Sequence, residues 1–171
     1  MSPMNRALAE ANSCEPTPTA FCVGCVLAVS WPTPADESTI VSTGYSRELP
    51  GNTHAEANAL VKLRSLTAAQ IRTLFPTSST PPEIDDILPR LDVYTTMEPC
   101  SVRTSGLAPC ADALIAAGVR RCFIGVQEPP DFVKCEGAQK LKDAGIEVIY
   151  LEGFEEECLE AARRGHDINA L

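Results

Sequence analysis

Positive charge is scarce in this chain. Fourteen Lys and Arg stand against 23 Asp and Glu, a formal net charge of -9. Such a balance excludes non-specific binding to nucleic acid or to an anionic membrane surface. Long apolar runs are also missing: none approaches the roughly 18 to 20 residues a membrane helix needs. The first fourteen residues hold Glu10 and no apolar h-region, so no signal peptide is expected and the expected location is the reducing cytoplasm. Histidine is nearly absent, with only His54 and His166. His166 follows Gly165, where a surface or C-cap role is expected.

Cysteine, in contrast, is abundant, with eight in 171 residues. Hydrophobic residues at 44% and charged residues at 22% are ordinary for a soluble domain, so a core forms without staples. A disulfide scaffold would be shorter and poorer in core residues. Cys22, Cys25, Cys122 and Cys158 sit in apolar or helical patterns and read as small buried hydrophobes. Cys22 and Cys25 have C-x-x-C spacing, but on a strand i and i+3 face opposite ways, which favours packing over redox chemistry. Cys100 and Cys110 differ, since Pro, Ser and Thr flank them.

The chain reads as one domain over residues 1–171, with a core at about 19–151. Residues 4–13 suggest a helix, 21–30 a buried strand, and 39–44 the second strand of a hairpin. Thr53 is placed to N-cap a helix from His54 to Ser65, with Ala57, Leu60, Val61 and Leu63 turned inward. Residues 66–90 form an insertion with short helical pieces at 68–74 and 84–88. Strand and helix then alternate: strands at 91–95, 121–126 and 146–151, helices at 111–117 and 137–144. A closing helix spans about 154–165. Gly118 and Gly145 stand where left-handed C-caps are wanted. This alternation predicts an α/β sheet with helices on its faces.

His54-Ala55-Glu56 at a helix start, with Pro99-Cys100 and Pro109-Cys110, carries chemistry. One imidazole and two thiolates form a three-ligand catalytic zinc set with one position left open. The expected ligands are therefore His54, Cys100 and Cys110, holding one zinc ion. Helix N-termini favour the anionic ligands. Glu56, two residues past the imidazole, can move protons without joining the metal shell, which is the traffic that hydrolytic deamination requires. A closed structural zinc site would need a fourth ligand, and none lies at short spacing.

Nine residues separate Cys100 from Cys110, rather than the two of the short-loop zinc deaminases. The runs HAEANAL, MEPCSVRTSGLAPCADALIAAGV, QEP and LKDAGIEV resemble the pyrimidine deaminases of riboflavin biosynthesis. The stretch GYSRELPGNTHAE is similar to the fungal form. That resemblance implies a three-layer α/β/α, cytidine deaminase-like fold with a mixed central sheet of about five strands. It implies a 2,5-diamino-6-ribitylamino-4(3H)-pyrimidinone 5′-phosphate substrate, and His54, Cys100, Cys110 and Glu56 match the zinc ligands and the proton shuttle.

By the same resemblance, Arg103-Thr104 matches a pair near the substrate phosphate, and Arg47 lies near another phosphate-contacting position. Bacterial relatives carry an Asn near the pyrimidine where this chain has Thr19-Ala20-Phe21, leaving the backbone near Cys22 or the side chain of Asn52 to read the ring. Partners are expected to be this small phosphorylated pyrimidine and a second copy of the chain, as a homodimer, without nucleic acid or membrane. A cytidine or deoxycytidylate deaminase and a non-catalytic zinc-binding module remain the alternatives.

Overall fold

A computed structural model describes residues 1–103, 105–130 and 135–166. Its centre is a five-stranded sheet of order β2-β1-β3-β4-β5, built from β1 (Gly24–Ser30), β2 (Ser38–Tyr45), β3 (Asp92–Met97), β4 (Arg121–Val126) and β5 (Glu147–Tyr150). β1 runs antiparallel to both β2 and β3, whereas β3, β4 and β5 are parallel, so the sheet is mixed. The hairpin supplies the antiparallel edge, and helical crossovers supply the parallel half.

The period of two along each strand sorts side chains into two cores. Cys25, Leu27, Val29, Val93, Cys122 and Ile124 face one way. They pack against α2 (Ala55–Arg64), α5 (Cys110–Ala117) and α6 (Gly137–Asp143) through Leu60, Leu63, Leu114 and Leu141. Val26 faces the other way, onto α1 (Pro3–Ser13) and α7 (Glu155–Ala162), where Met4, Ala7, Cys158 and Ala161 close a second core. The result is helix, sheet, helix in three layers. Among the described residues no helix is long and apolar enough to cross a membrane.

The 66–90 insertion folds as α3 (Ala68–Leu74), the single turn α4 (Ile84–Ile87) and a 3-10 turn, Leu88–Arg90. It is anchored, because Ile71, Phe75 and Ile87 are buried in the larger core.

Three expectations need correction. The first strand begins at Gly24 rather than 21, because the amides of Cys22 and Val23 turn away to Ala162 O and Ser46 Oγ. Val61 is exposed at 54%, since the helical period that buries Ala59, Leu60 and Leu63 rotates it outward. Thr53 is not the N-cap of α2. His54 holds that position without a side-chain cap, and Thr53 Oγ1 instead donates to Leu49 O at 2.9 Å and accepts from Asn58 Nδ2 at 3.0 Å.

Two glycines set how closely elements approach the site. A Cβ on Gly44 would lie 2.3 Å from Ala55 O, so only glycine lets β2 press against the start of α2. A Cβ on Gly137 would lie 1.6 Å from Pro99 O, so α6 begins directly against the residue before Cys100. Gly118 takes the left-handed C-cap of α5 at φ 67.

Candidate active site and metal centre

His54 sits at the N-cap of α2 in extended backbone, with an imidazole that caps nothing. Freed from that task, its Nδ1 lies 3.4 Å from Cys100 Sγ and 3.5 Å from Cys110 Sγ. Cys100 follows the end of β3, and Cys110 is the first residue of α5. The three donor atoms lie within 4.8 Å of one another. Tetrahedral zinc with N at about 2.0 Å and S at about 2.3 Å sets such neighbours about 3.6 Å apart, so the spacing and the donor set fit one zinc ion.

The two thiols are linked. Cys110 donates its side-chain hydrogen and its backbone N–H to the Cys100 sulfur, the latter at 3.3 Å, and His54 adds a further contact. These hydrogen bonds overcome burial and hold Cys100 down to about 4. Cys110, which gives its proton to that bond and is fully enclosed, is pushed up. Metal ligation requires both sulfurs as thiolates, and it draws the shared proton from the pair.

Glu56 is the second residue of α2 and is 3% exposed. Burial, then the charge of Cys100, push its carboxyl up. Thr95 on β3 fixes it, with Oγ1 2.9 Å from Glu56 Oε1 and 2.9 Å from Met97 O. A carboxyl held by one hydrogen bond and raised by burial is suited to passing protons.

His54, Glu56 and Cys100 open into a cavity of about 190 Å³ whose lining also includes Arg47, Asn52 and Arg103. The structure therefore brings together all the predicted site residues it describes. Cys110 lies behind the lining at 0% exposure, and Thr104 lies outside the described residues. Arg103 donates from Nη2 to the backbone carbonyl of Asn52, bridging the inter-cysteine loop to the turn before α2. Arg47 has φ 64, and its guanidinium points to Phe21 O, Glu15 O and the sulfurs of Cys14 and Cys22.

Several lining groups escaped the sequence reading. Glu98 and Glu128 border the cavity, each with Oε2 buried and unpaired among the described residues. Burial pushes Glu128 up to about 7. Thr95 lies 39 residues from Glu56 in sequence, so only the α2–sheet packing reveals it. His166 is no mere surface residue: Nε2 is 3.2 Å from Ala20 O and its ring lies 5.3 Å from that of Phe21. The C-x-x-C pair is confirmed as buried, with Cys22 and Cys25 both at 0% exposure.

Residues 2–126 match the family described as the cytidine and deoxycytidylate deaminase zinc-binding region. The diaminohydroxyphosphoribosylamino-pyrimidine deaminase of Schizosaccharomyces pombe is 44% identical over 163 residues, covering 95% of this chain and 35% of that protein. The chain thus spans about a third of the length of this curated relative. The crystal structure of Aspergillus oryzae Rib2 deaminase, a C-terminal deletion mutant at pH 4.6, superposes with a TM-score of 0.77 at 35% identity, covering 98% of this chain and 92% of that one. The same enzyme in complex with DARIPP gives a TM-score of 0.74 at 35% identity, over 96% and 90% of the two chains. Sequence, fold and donor geometry agree: the chain belongs to the cytidine and deoxycytidylate deaminase family, on the branch of the Rib2 deaminases of riboflavin biosynthesis.

Proposed function

We propose that this chain hydrolytically deaminates 2,5-diamino-6-ribitylamino-4(3H)-pyrimidinone 5′-phosphate, releasing ammonia and the 5-aminouracil product. The observation that carries the reading is one cavity that joins the His54, Cys100 and Cys110 donors to a buried Glu56. His54, Cys100 and Cys110 would hold the zinc. Zinc, when bound, acts as a Lewis acid that acidifies water toward neutrality.

Glu56 then carries the protons. Its carboxylate takes one from the attacking water and delivers it to the ring nitrogen beside the amine-bearing carbon. It takes the second from the newly added hydroxyl and delivers it to the amine, which leaves as ammonia. Thr95 keeps Oε1 in place through both transfers, and the buried setting limits leakage of protons to bulk water.

Recognition falls to the rest of the cavity. Arg103 offers a guanidinium to the phosphate, and Asn52 sits where a side-chain amide can meet the ring. The Rib2 complex with DARIPP supports this class of ligand. Eight unpaired cysteines suit a reducing cytoplasm, and the active form is assigned as a homodimer, which size-exclusion chromatography with light scattering tests directly.

The deciding assay is ammonia release by zinc-loaded protein. The ribitylamino and ribosylamino pyrimidinone phosphates are offered separately, with CMP and cytidine as controls. Turnover of the ribityl compound is the expected result. Turnover of the ribosyl compound alone would move the chain to a bacterial-type substrate, and turnover of the cytosine compounds alone would overturn the assignment.

A further inference from the structure

One stretch of the cavity wall, Thr19, Ala20 and Phe21, belongs to no helix and no strand. Ala20 and Phe21 bring no polar side-chain atom, and the Thr19 hydroxyl already pairs with Thr17 Oγ1 at 3.1 Å. Most of the hydrogen bonding this wall offers a ligand is therefore that of its backbone. Backbone groups recognise a ring only if their chain is held still, and this segment has a single isolated bridge, Thr17 to Ala20, in place of a ladder.

The structure holds it from two sides. Arg47 Nη1 donates to Phe21 O at 3.1 Å and Nη2 to Glu15 O at 2.8 Å, so one guanidinium ties both ends of residues 15–21. The same Nη2 lies 2.8 Å from Cys14 Sγ and 3.5 Å from Cys22 Sγ. Those thiols are in mutual contact, and burial, then Cys22, push Cys14 up to about 12, so Cys14 meets the guanidinium as a neutral thiol. From the other side, His166 Nε2 reaches Ala20 O, and the amide of Cys22 donates to Ala162 O at 2.9 Å.

Arg47 is also the one described non-glycine residue in the left-handed region, at φ 64, with its amide donating to Thr53 O at 2.7 Å. That turn directs the side chain at the wall. A planar fork can grip two carbonyls at once, as a lysine ammonium cannot do with the same rigidity.

We propose that Arg47 is a positioning residue: its fork fixes residues 15–21 so that the backbone of Thr19–Phe21 reads the pyrimidine ring, while the phosphate is left to Arg103. The inference rests on the deaminase reading above and assigns to Arg47 a role distinct from the phosphate contact that the resemblance implied.

The test uses Arg47→Lys, which keeps the charge and loses the fork, beside Arg103→Ala. For each, KM and kcat are measured on the ribitylamino pyrimidinone phosphate, and the inhibition constant is measured for the same compound without its phosphate. Zinc content is determined in every preparation. The expected result for Arg47→Lys is full zinc with both KM and the phosphate-free inhibition constant raised by a similar factor, about tenfold. Arg103→Ala raises KM alone.

His166→Ala, which releases the wall from the opposite side, should raise the phosphate-free inhibition constant too, and it serves if Arg47→Lys does not fold. An Arg47→Lys protein that raises KM but leaves the phosphate-free constant unchanged overturns the proposal in favour of a phosphate contact, as does one that changes neither. In the His166→Ala protein, an unchanged phosphate-free constant counts against it equally. A wild-type protein that does not turn over the ribitylamino compound overturns the deaminase reading itself, and this inference with it.

Discussion

The zinc-ligand end of the cavity and its recognition wall are built on different principles. His54, Glu56 and Cys110 project from the starts of α2 and α5, and Cys100 lies three residues past the end of β3. Side chains do the chemistry there, and regular elements aim them. The wall is made of loops: Thr19–Phe21, the turn at Arg47, and Asn52 with Arg103 across a loop contact. There the side chains mostly hold backbone in place. The first design confines reacting groups to a fixed constellation, and the second lets recognition change without disturbing the metal ligands.

The sharpest way to break this division is to remove a ligand. Cys110→Ala should lose zinc and all measurable ammonia release. It should also lower the unfolding midpoint, because a metal that joins two helix starts to a strand end stabilises the fold by binding only the native chain. Chelation of the wild-type protein should do the same, and zinc should restore it. Metal analysis and thermal melts on the same samples check both effects. Retained zinc with normal turnover in Cys110→Ala would remove the basis for the assigned centre.

A smaller change separates metal binding from proton transfer. Glu56→Gln keeps the size and the Thr95 contact but cannot carry a proton, so kcat should fall by about 10³ with zinc content intact. Rapid kinetics and metal analysis read the two independently. Loss of zinc together with activity would show that Glu56 serves the metal shell and not the proton path. Smaller still is Arg103→Ala, for which steady-state kinetics should give a KM rise of about tenfold with kcat within a factor of two. A fall in kcat comparable to that of Glu56→Gln would erase the distinction between the two ends of the cavity.

The same division explains what could be seen in advance. Ligands placed on helix starts and strand ends come with local signatures, such as His-x-Glu at a helix start and Pro before each cysteine, so His54, Glu56, Cys100 and Cys110 were legible. The sheet was legible too, because each strand carries an apolar run and each crossover a helical period. Loop geometry carries no such period. Nothing local marks Thr53 as one residue too early to cap α2, or Arg47 as a left-handed turn aimed at Glu15 and Phe21. The contact of His166 with Ala20 joins residues 146 positions apart through the packing of α7, which no window of sequence contains. Thr95 was hidden for the same reason, since its partner Glu56 is brought to it by tertiary packing alone.

The zinc-ligand end of the cavity depends on β3, which carries Thr95 and leads toward Cys100, and the anchor of that strand predicts the smallest effect on turnover. Asp92, 3% exposed at the start of β3, accepts from Arg120 at 2.8 to 3.1 Å and from Arg121 at 2.6 to 2.9 Å. Burial alone would push its carboxyl up, but the hydrogen bonds and charges of the two arginines outweigh that and hold it below the usual range. A carboxyl depressed in the folded state binds its proton more readily in the unfolded chain. Its contribution is therefore complete above the unfolded value of about 3.9 and is lost as pH falls through the lower folded value. Urea unfolding between pH 6 and 2.5 should show stability falling on the acid side, with the slope reduced by about one proton in Asp92→Asn. That variant should also lose about 3 kcal/mol at neutral pH, because two arginines are left facing a neutral amide. Its kcat at neutral pH and moderate temperature should stay within a factor of two of wild type. A much larger loss of turnover without unfolding would mean that the register of β3 tunes Thr95 and Glu56 directly, and that the reacting end depends on its scaffold more finely than the recognition wall does.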